Sequence, residues 1–482
     1  MASVTIAPLL RVREIEFFEW PYTLRMPFRF GVITVTHGRQ VMARARIELP
    51  DGGTAWGYAA EALGAKWFDK NPDISDEDNL DQLRRALEIA SALYRSHGAM
   101  TAFGHFAAAY QPQLDQGARD RLPPLVASYG PAMIDRCVID ALGKVLGMSF
   151  NQMMRHNVAG MAPGASVAPD LAGFDFDKFL AGLRPLKALH VRHTVGLLDP
   201  IVASDQAAGT RVDDGLPETL EEVVAAYRQR YFKLKVGGDV AKDVARLSSI
   251  AQVLDRIDSP YHASLDGNEQ YADAAQALQL WQAIEAEKKL KRLRESILFI
   301  EQPIKRQAAL SESIAPLAAK RPVIIDESDG DLDAFPRAKA LGYVGVSSKD
   351  CKGFYKSLIN RARCALWNAQ DKHQPYFMSA EDLTTLPGIS VQQDMALVAL
   401  LGLTHVERNG HHFINGMSGR PRGEQIAYLA AHPKLYKDAD GVVRLNIVDG
   451  KVDIASLDCP GFAVGIEPDF ASLQPMPPSR WR

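Results

Sequence analysis

Four cysteines in 482 residues, Cys137, Cys351, Cys364 and Cys459, lie far apart with no Cys-x-x-Cys spacing. That excludes a zinc knuckle, a redox dithiol and a secreted disulfide scaffold, and it fits a reducing cytoplasm. No apolar run approaches the roughly 20 residues of a membrane span. Arg11, Arg13 and Glu14 interrupt the first stretch before a signal-peptide core can form. Neither charge sign dominates: 55 basic against 58 acidic side chains leave 55 − 58 = −3, so no field is on offer to nucleic acid or anionic lipid. Glycine-rich nucleotide loops and low-complexity tracts are also missing. What is present is a composition with 47% hydrophobic and 23% charged residues, enough for a full core. A cytoplasmic protein whose partner is a small molecule is expected.

Residues 12–62 read as β. Between Arg39 and Leu49, the residues Val41, Ala43, Ala45, Ile47 and Leu49 share one side, with Met42, Arg44, Arg46 and Glu48 on the other. Pro50, Asp51, Gly52 and Gly53 predict a hairpin turn into a second strand. Helical patterns follow over about 77–97, 101–118 and 131–148, so the first third is α+β. From about residue 186, short apolar strands alternate with helices, the pattern of parallel strands with crossover connections. Eight strands are expected: Leu189 to Gly196, Tyr231 to Val236, Tyr261 to Asp266, Ile297 to Gln302, Val323 to Glu327, Val344 to Lys349, Tyr376 to Ala380 and His405 to Asn409. Without a nucleotide crevice they suit a closed TIM-type (β/α) barrel better than an open sheet. The α/β architecture expected is an α+β N-terminal domain over 1–150, the barrel over 151–432, and a C-terminal segment over 433–482. That segment is too short to fold alone and packs back on the first domain. One connection, Gly196 to Pro217, is long enough to be functional or mobile.

Charged residues recur at the C-terminal ends of successive strands: Lys233 and Lys235, Asp266, Glu301, Asp326 and Lys349. In a barrel those ends form one rim. Strand parity turns Lys349 inward, because it shares its face with the small Ser347 and Gly345 while Val344 and Val346 face the helices. Three carboxylates without histidine or cysteine make a hard-oxygen site, suited to Mg2+ or Mn2+. A nearby dication and a like-charged neighbour would lower a lysine pKa, and Lys233 is such a neighbour for Lys235. The chemistry implied is removal of a proton alpha to a carboxylate, with the metal stabilising the enolate charge.

In this order, FKLK, LDGN, FIEQP and IIDES resemble the enolase superfamily, in particular its muconate lactonizing enzyme-like subgroup. PFRFG and DGGTAWGYAAE are similar to the N-terminal capping domain of that family, PAMIDRCVIDALGKVLG to its helix entering the barrel, and PGFAVG fits its C-terminal part. The resemblance implies Asp266, Glu301 and Asp326 as Mg2+ ligands, Lys235 and Lys349 as acid/bases on opposite faces, and Lys233 as a substrate-carboxylate contact. Asn268 and Glu327 would stand behind or beside the ligands, and Thr194 and Glu407 are read as facing inward, as substrate contacts. Trp67 and Phe68, and residues 30–36, correspond to loops that close such barrels and choose the substrate. Racemisation or epimerisation, or cycloisomerisation, is expected first, and an acid-sugar dehydratase next. A barrel that binds metal and acid without turnover, and a Schiff-base lyase, are the other classes. A homo-oligomer is expected.

Three departures from the family pattern matter. Lys349-Asp350-Cys351-Lys352 stands where a Gly-Gly pair usually follows the lysine, which keeps Lys352 as a rival to Lys349. Strand seven, YFMSAEDL, lacks the late-barrel histidine of the mandelate racemase branch, and His373 lies at the wrong end. Glu407-Arg408-Asn409 replaces the Asp-x-Asp of dipeptide epimerases. His411 and His412 read as polar loop residues rather than ligands.

Overall fold

The computed structural model describes residues 7–481. The chain opens with a long antiparallel hairpin, β1 (Arg11–Phe30) and β2 (Ile33–Glu48), followed by β3 (Thr54–Ala62). The alternation seen in the sequence is the reason for the sheet's one dry face: Val41, Ala43, Ala45 and Ile47 are fully buried. The 49–53 turn is closed by two backbone hydrogen bonds, Leu49 N to Gly53 O and Gly52 N to Leu49 O.

Against this sheet lie α1 (Ala65–Phe68), α2 (Asp76–Ser96), α3 (Ala102–Arg119) and α4 (Pro124–Leu146). Ser75 and Thr101 cap α2 and α3 by accepting from the backbone of Asp78 and Gly104. Helix α4 starts at Pro124, not near residue 131 as the pattern suggested, so Pro131 lies inside it. The carbonyl that Pro131 leaves without a helical donor belongs to Ala127, and the Gln113 side chain donates to it at 2.9 Å. Close approach sets the packing of α4: a Cβ on Gly57 would stand 1.9 Å from the Cys137 carbonyl oxygen, and one on Gly130 would stand 2.1 Å from that of Ala86.

The second body is the expected closed barrel. Its strands are β4 (Ala188–Val195), β5 (Tyr231–Lys235), β6 (His262–Asp266), β7 (Ile297–Glu301), β8 (Val323–Ile325), β9 (Gly345–Ser348), β10 (Phe377–Ala380) and β11 (His405–Arg408). Each pairs in parallel with the next, and β11 returns to β4 to close the ring. Strand β8 stops at Ile325, two residues short of the expected end, so Asp326 and Glu327 belong to the rim. Inside, the lower layer is a stack of rings in which Tyr231 lies 5.0 Å from His190, 5.0 Å from His262 and 4.6 Å from His405 between centroids.

The C-terminal part touches both bodies. After the hairpin β12 (Tyr436–Ala439) and β13 (Val442–Leu445), strand β14 (Lys451–Asp453) adds antiparallel to β4, and β15 (Gln474–Pro475) pairs with Phe18 and Glu19 of β1. Among the described residues, no helix is long and apolar enough to cross a membrane.

Gly57→Ala should lower stability by about 1–3 kcal/mol, because the methyl group meets backbone that cannot turn aside. Denaturant titration reads this, and an unchanged midpoint would contradict the close packing of β3 on α4.

Candidate active site

The rim of the barrel gathers the charges that parity turned inward. In the sheet register Lys233 pairs with Ser264 and Lys235 with Asp266, and Asp266 pairs with Glu301, so these side chains share the interior face of adjoining strands. Lys235 donates to Asp266 Oδ2 at 2.5 Å. Lys349 donates to Asp326 Oδ2 at 2.6 Å, and the Ser347 hydroxyl donates to the other oxygen of Asp326. Strands β5 and β9 are four apart on an eight-stranded ring, so Lys235 and Lys349 approach from opposite sides. Both line one small cavity with Lys233, Asn268 and Glu407.

Lys233 is the centre of the buried network. Its Nζ stands 2.9 Å from Asp266, 2.8 Å from Glu301, 2.8 Å from Glu381 and 2.9 Å from Glu407. Burial pushes the ammonium down, but these carboxylates outweigh burial and hold it well above its ordinary range. Burial likewise opposes ionisation of Asp326 and Glu407. For Asp326, Lys349 and Lys352 overcome it, and for Glu407, Lys233 and Lys235 do, so both carboxyls are held well below the usual range. Glu301 goes the other way. Burial, then the neighbouring Asp266 and Glu381 carboxylates, push it well above the usual range despite Lys233. Lys349 is buried too, yet Asp326 more than offsets this and raises it. Lys233 and Lys349 are thus held up rather than down by the carboxylates around them. Among the described residues, no three His, Cys, Asp or Glu side chains stand ready as a metal cluster. The oxygens of Asp266, Glu301 and Asp326 are turned onto lysines instead.

The mouth is covered. Phe28 and Phe30 from the end of β1, Trp67 from α1, and Leu383 and Thr384 after β10 enclose a cavity of about 40 Å3, room for a few waters. The Lys349 ammonium lies 4.2 Å from the centre of the Trp67 ring.

A family model described as enolase C-terminal domain-like matches residues 215–401, which run from within the first crossover, ahead of its helix, to the helix before β11. Over that stretch the barrel is similar to the enolase C-terminal domain-like family. Solved structures similar to this chain include a muconate lactonizing enzyme from Mucobacterium Smegmatis complexed with muconolactone, at TM-score 0.59 and 17% identity, covering 96% of this chain and 98% of that one. A 2-chloromuconate cycloisomerase from Rhodococcus opacus 1CP gives 0.59 and 15%, covering 95% and 97%. An enolase from Bradyrhizobium complexed with magnesium and mandelic acid gives 0.54 and 15%, covering 95% and 96%. These likenesses establish the fold. No curated protein matches.

Of the residues singled out from the sequence, Lys233, Lys235, Asn268, Lys349, Glu407 and Trp67 line the cavity, and Asp266, Glu301 and Asp326 lie beside it, bonded to its lysines. Thr194 does not face the cavity: its hydroxyl donates to Glu407 at 2.6 Å. Asn268 donates from Nδ2 to Glu327 at 3.1 Å and from its backbone to Asp266 at 2.9 Å. Lys352 does not line the cavity; its ammonium pairs with Asp326 at 3.4 Å and Asp329 at 3.1 Å and donates to the Ser347 hydroxyl and carbonyl, both at 2.7 Å, so it braces the strand that leads to Lys349. Phe68 packs on Tyr129, 5.2 Å between ring centres, and only Trp67 of that pair reaches the mouth. Residues 30–36 are not a loop. The strands continue through them to a turn at Gly31 and Val32, with Phe30 paired to Ile33. His411 and His412 are buried, His412 packing edge-on at 4.9 Å and His411 at 5.6 Å from His193, and burial pushes both far below the ordinary histidine range.

Glu381 was missed. Phe377, Ser379 and Glu381 share the inner face of β10 and its extension, so strand parity is the signal that points Glu381 inward. Arg192 and Ser379 also bond Glu381. Lys233→Met should cost about 3–5 kcal/mol of stability, since it strands four buried carboxylates without their shared ammonium. A denaturation midpoint equal to that of the unaltered protein would contradict this.

Proposed function

We propose that this protein is an isomerase or lyase of the enolase superfamily that removes the proton alpha to a substrate carboxylate, with Lys235 and Lys349 as acid/bases on its two faces. The observation that carries the reading is the pair of ammonium groups set four strands apart across one covered cavity, each already bonded to a carboxylate. The lysine that removes the α-proton must do so as the neutral amine, and the other, as ammonium, gives a proton to the opposite face of the planar intermediate. That geometry suits racemisation or epimerisation, or a cycloisomerisation that uses one lysine. Glu381 at the late-barrel position gives no imidazole base there, and this weighs against an acid-sugar dehydratase.

Asp266, Glu301 and Asp326 are the residues that would hold a divalent cation, Mg2+ or Mn2+, and two observations support the fit. An ammonium has three N–H bonds, yet Lys233 serves four carboxylates. Glu301, the middle residue of the three, is pushed toward its neutral form by the acids around it. Glu301 has no cation among these contacts besides the shared Lys233, and an all-oxygen donor set suits a hard cation. When bound, that ion would stabilise negative charge on the substrate carboxylate. The chain's own residues do the rest. Lys235 and Lys349 move the proton, Lys233 and Glu407 fix the floor, and Trp67, Phe28 and Phe30 exclude water and meet any apolar part of the acid. A small-molecule carboxylate as partner, a reducing cytoplasm and a homo-oligomeric state belong to the same reading. The first two accord with four free cysteines and the polar cavity.

Incubation with a library of carboxylic acids in D2O, with Mg2+ and with chelator, is expected to show metal-dependent incorporation of deuterium at the α-carbon of at least one acid. Lys235→Ala and Lys349→Ala should each lower the rate by about 10²–10⁴-fold with the fold intact. Near-unaltered turnover in either variant would remove that lysine from the mechanism.

A further inference from the structure

We propose that Arg306, Glu269 and Lys70 form a latch that holds the 63–72 segment shut over the barrel and so seats Trp67 against Lys349. They are positioning residues, and the proposal rests on the reading of Lys349 as an acid/base. Glu269 is at the centre. Its backbone and that of Asn268 are left-handed, with φ of 70° and 40°. Two successive non-glycine residues in that region are strained, and such strain persists where surrounding contacts repay it.

What it secures is a carboxylate aimed at the covering segment. Arg306 grips Glu269 in a fork, Nε to Oε1 at 2.7 Å and Nη2 to Oε2 at 2.8 Å. The remaining reach of the same guanidinium goes to the carbonyls of Phe68 at 2.7 Å and Trp67 at 3.0 Å. These belong to the last turn of α1, whose four residues leave carbonyls without helical donors. Lys70, just beyond, pairs with Glu269 at 2.6 Å and Glu327 at 2.9 Å, and donates to the Asn268 carbonyl at 3.1 Å. Arg306 and Lys70 thus tie one short segment to the ends of β6, β7 and β8.

The ties are suited to release. Arg306 and Lys70 keep 18% and 16% of their side-chain surface in solvent, so water can replace each bond, whereas Trp67 and Phe68 beneath them are buried. A cavity of about 40 Å3 admits no acid larger than a few waters while the segment is down. Release of the latch would widen the cavity on the Trp67 side, and its closure seats Trp67 on the Lys349 ammonium.

Hydrogen exchange read by mass spectrometry on the full chain, with Mg2+ as the only added ligand, tests this in the unaltered protein and in Glu269→Gln, Lys70→Met and Arg306→Lys. Exchange of amides 64–72 is expected to rise about tenfold or more in the first two variants and less in Arg306→Lys, with the barrel strands as protected as before. Unchanged exchange in that segment would overturn the proposal. A general loss of protection across the barrel would overturn it too, since the residues would then hold the fold rather than the segment. Deuteration of acids by the unaltered enzyme is scored separately, so failure of that chemistry is distinguishable from failure of the latch.

Discussion

Four carboxylates converge on the single ammonium of Lys233, and much of the barrel interior is arranged to make that convergence tolerable. Buried charge is expensive unless every partner is in place. Adjoining strands supply the partners: Lys235 for Asp266, Lys349 and Ser347 for Asp326, Thr194 for Glu407, and Arg192 for Glu381. Glu301 lacks a second cation among these contacts and is the group pushed toward neutrality. The proposed metal position and the proposed bases are thus two aspects of one electrostatic arrangement.

The covering elements answer the same constraint from outside. Phe28, Phe30 and Trp67 keep water from a site whose ion pairs strengthen as the surroundings become less polar. They reach it because β1 and β2 run on past the body of the sheet to the turn at Gly31, and because α1 follows β3 directly. Glu61, at the end of β3, is pushed up to about 7 chiefly by burial, and it meets Arg136 of α4 at 3.3 Å. Arg136 also reaches Asp350, the residue after Lys349, at 3.4 Å. The sheet domain and the barrel are therefore joined by buried charge immediately behind the proposed base.

The barrel was legible because its strands are short apolar runs at regular spacing, and the inward direction of Lys349 followed from period two alone. What escaped was contact between distant segments. Nothing near Lys70 announces Glu327, or near Arg306 the carbonyls of Trp67 and Phe68, since 257 and 238 residues separate Lys70 from Glu327 and Arg306 from Phe68. The start of α4 was placed late because Pro131 looks like a helix boundary until Gln113 is seen to serve the freed carbonyl. His411 and His412 read in the sequence as polar loop residues, because adjacent histidines carry no signal of their packing on His193. Glu381 is readable by parity alone, since it lies two residues beyond Ser379 on the inner face of β10.

Titration of the purified protein with Mn2+, followed by electron paramagnetic resonance, tests the charge account most directly. One site per chain is expected, weakened at least about tenfold by Asp266→Asn, Glu301→Gln or Asp326→Asn and left intact by Glu269→Gln. No specific binding, or binding indifferent to all three carboxylates, would contradict it.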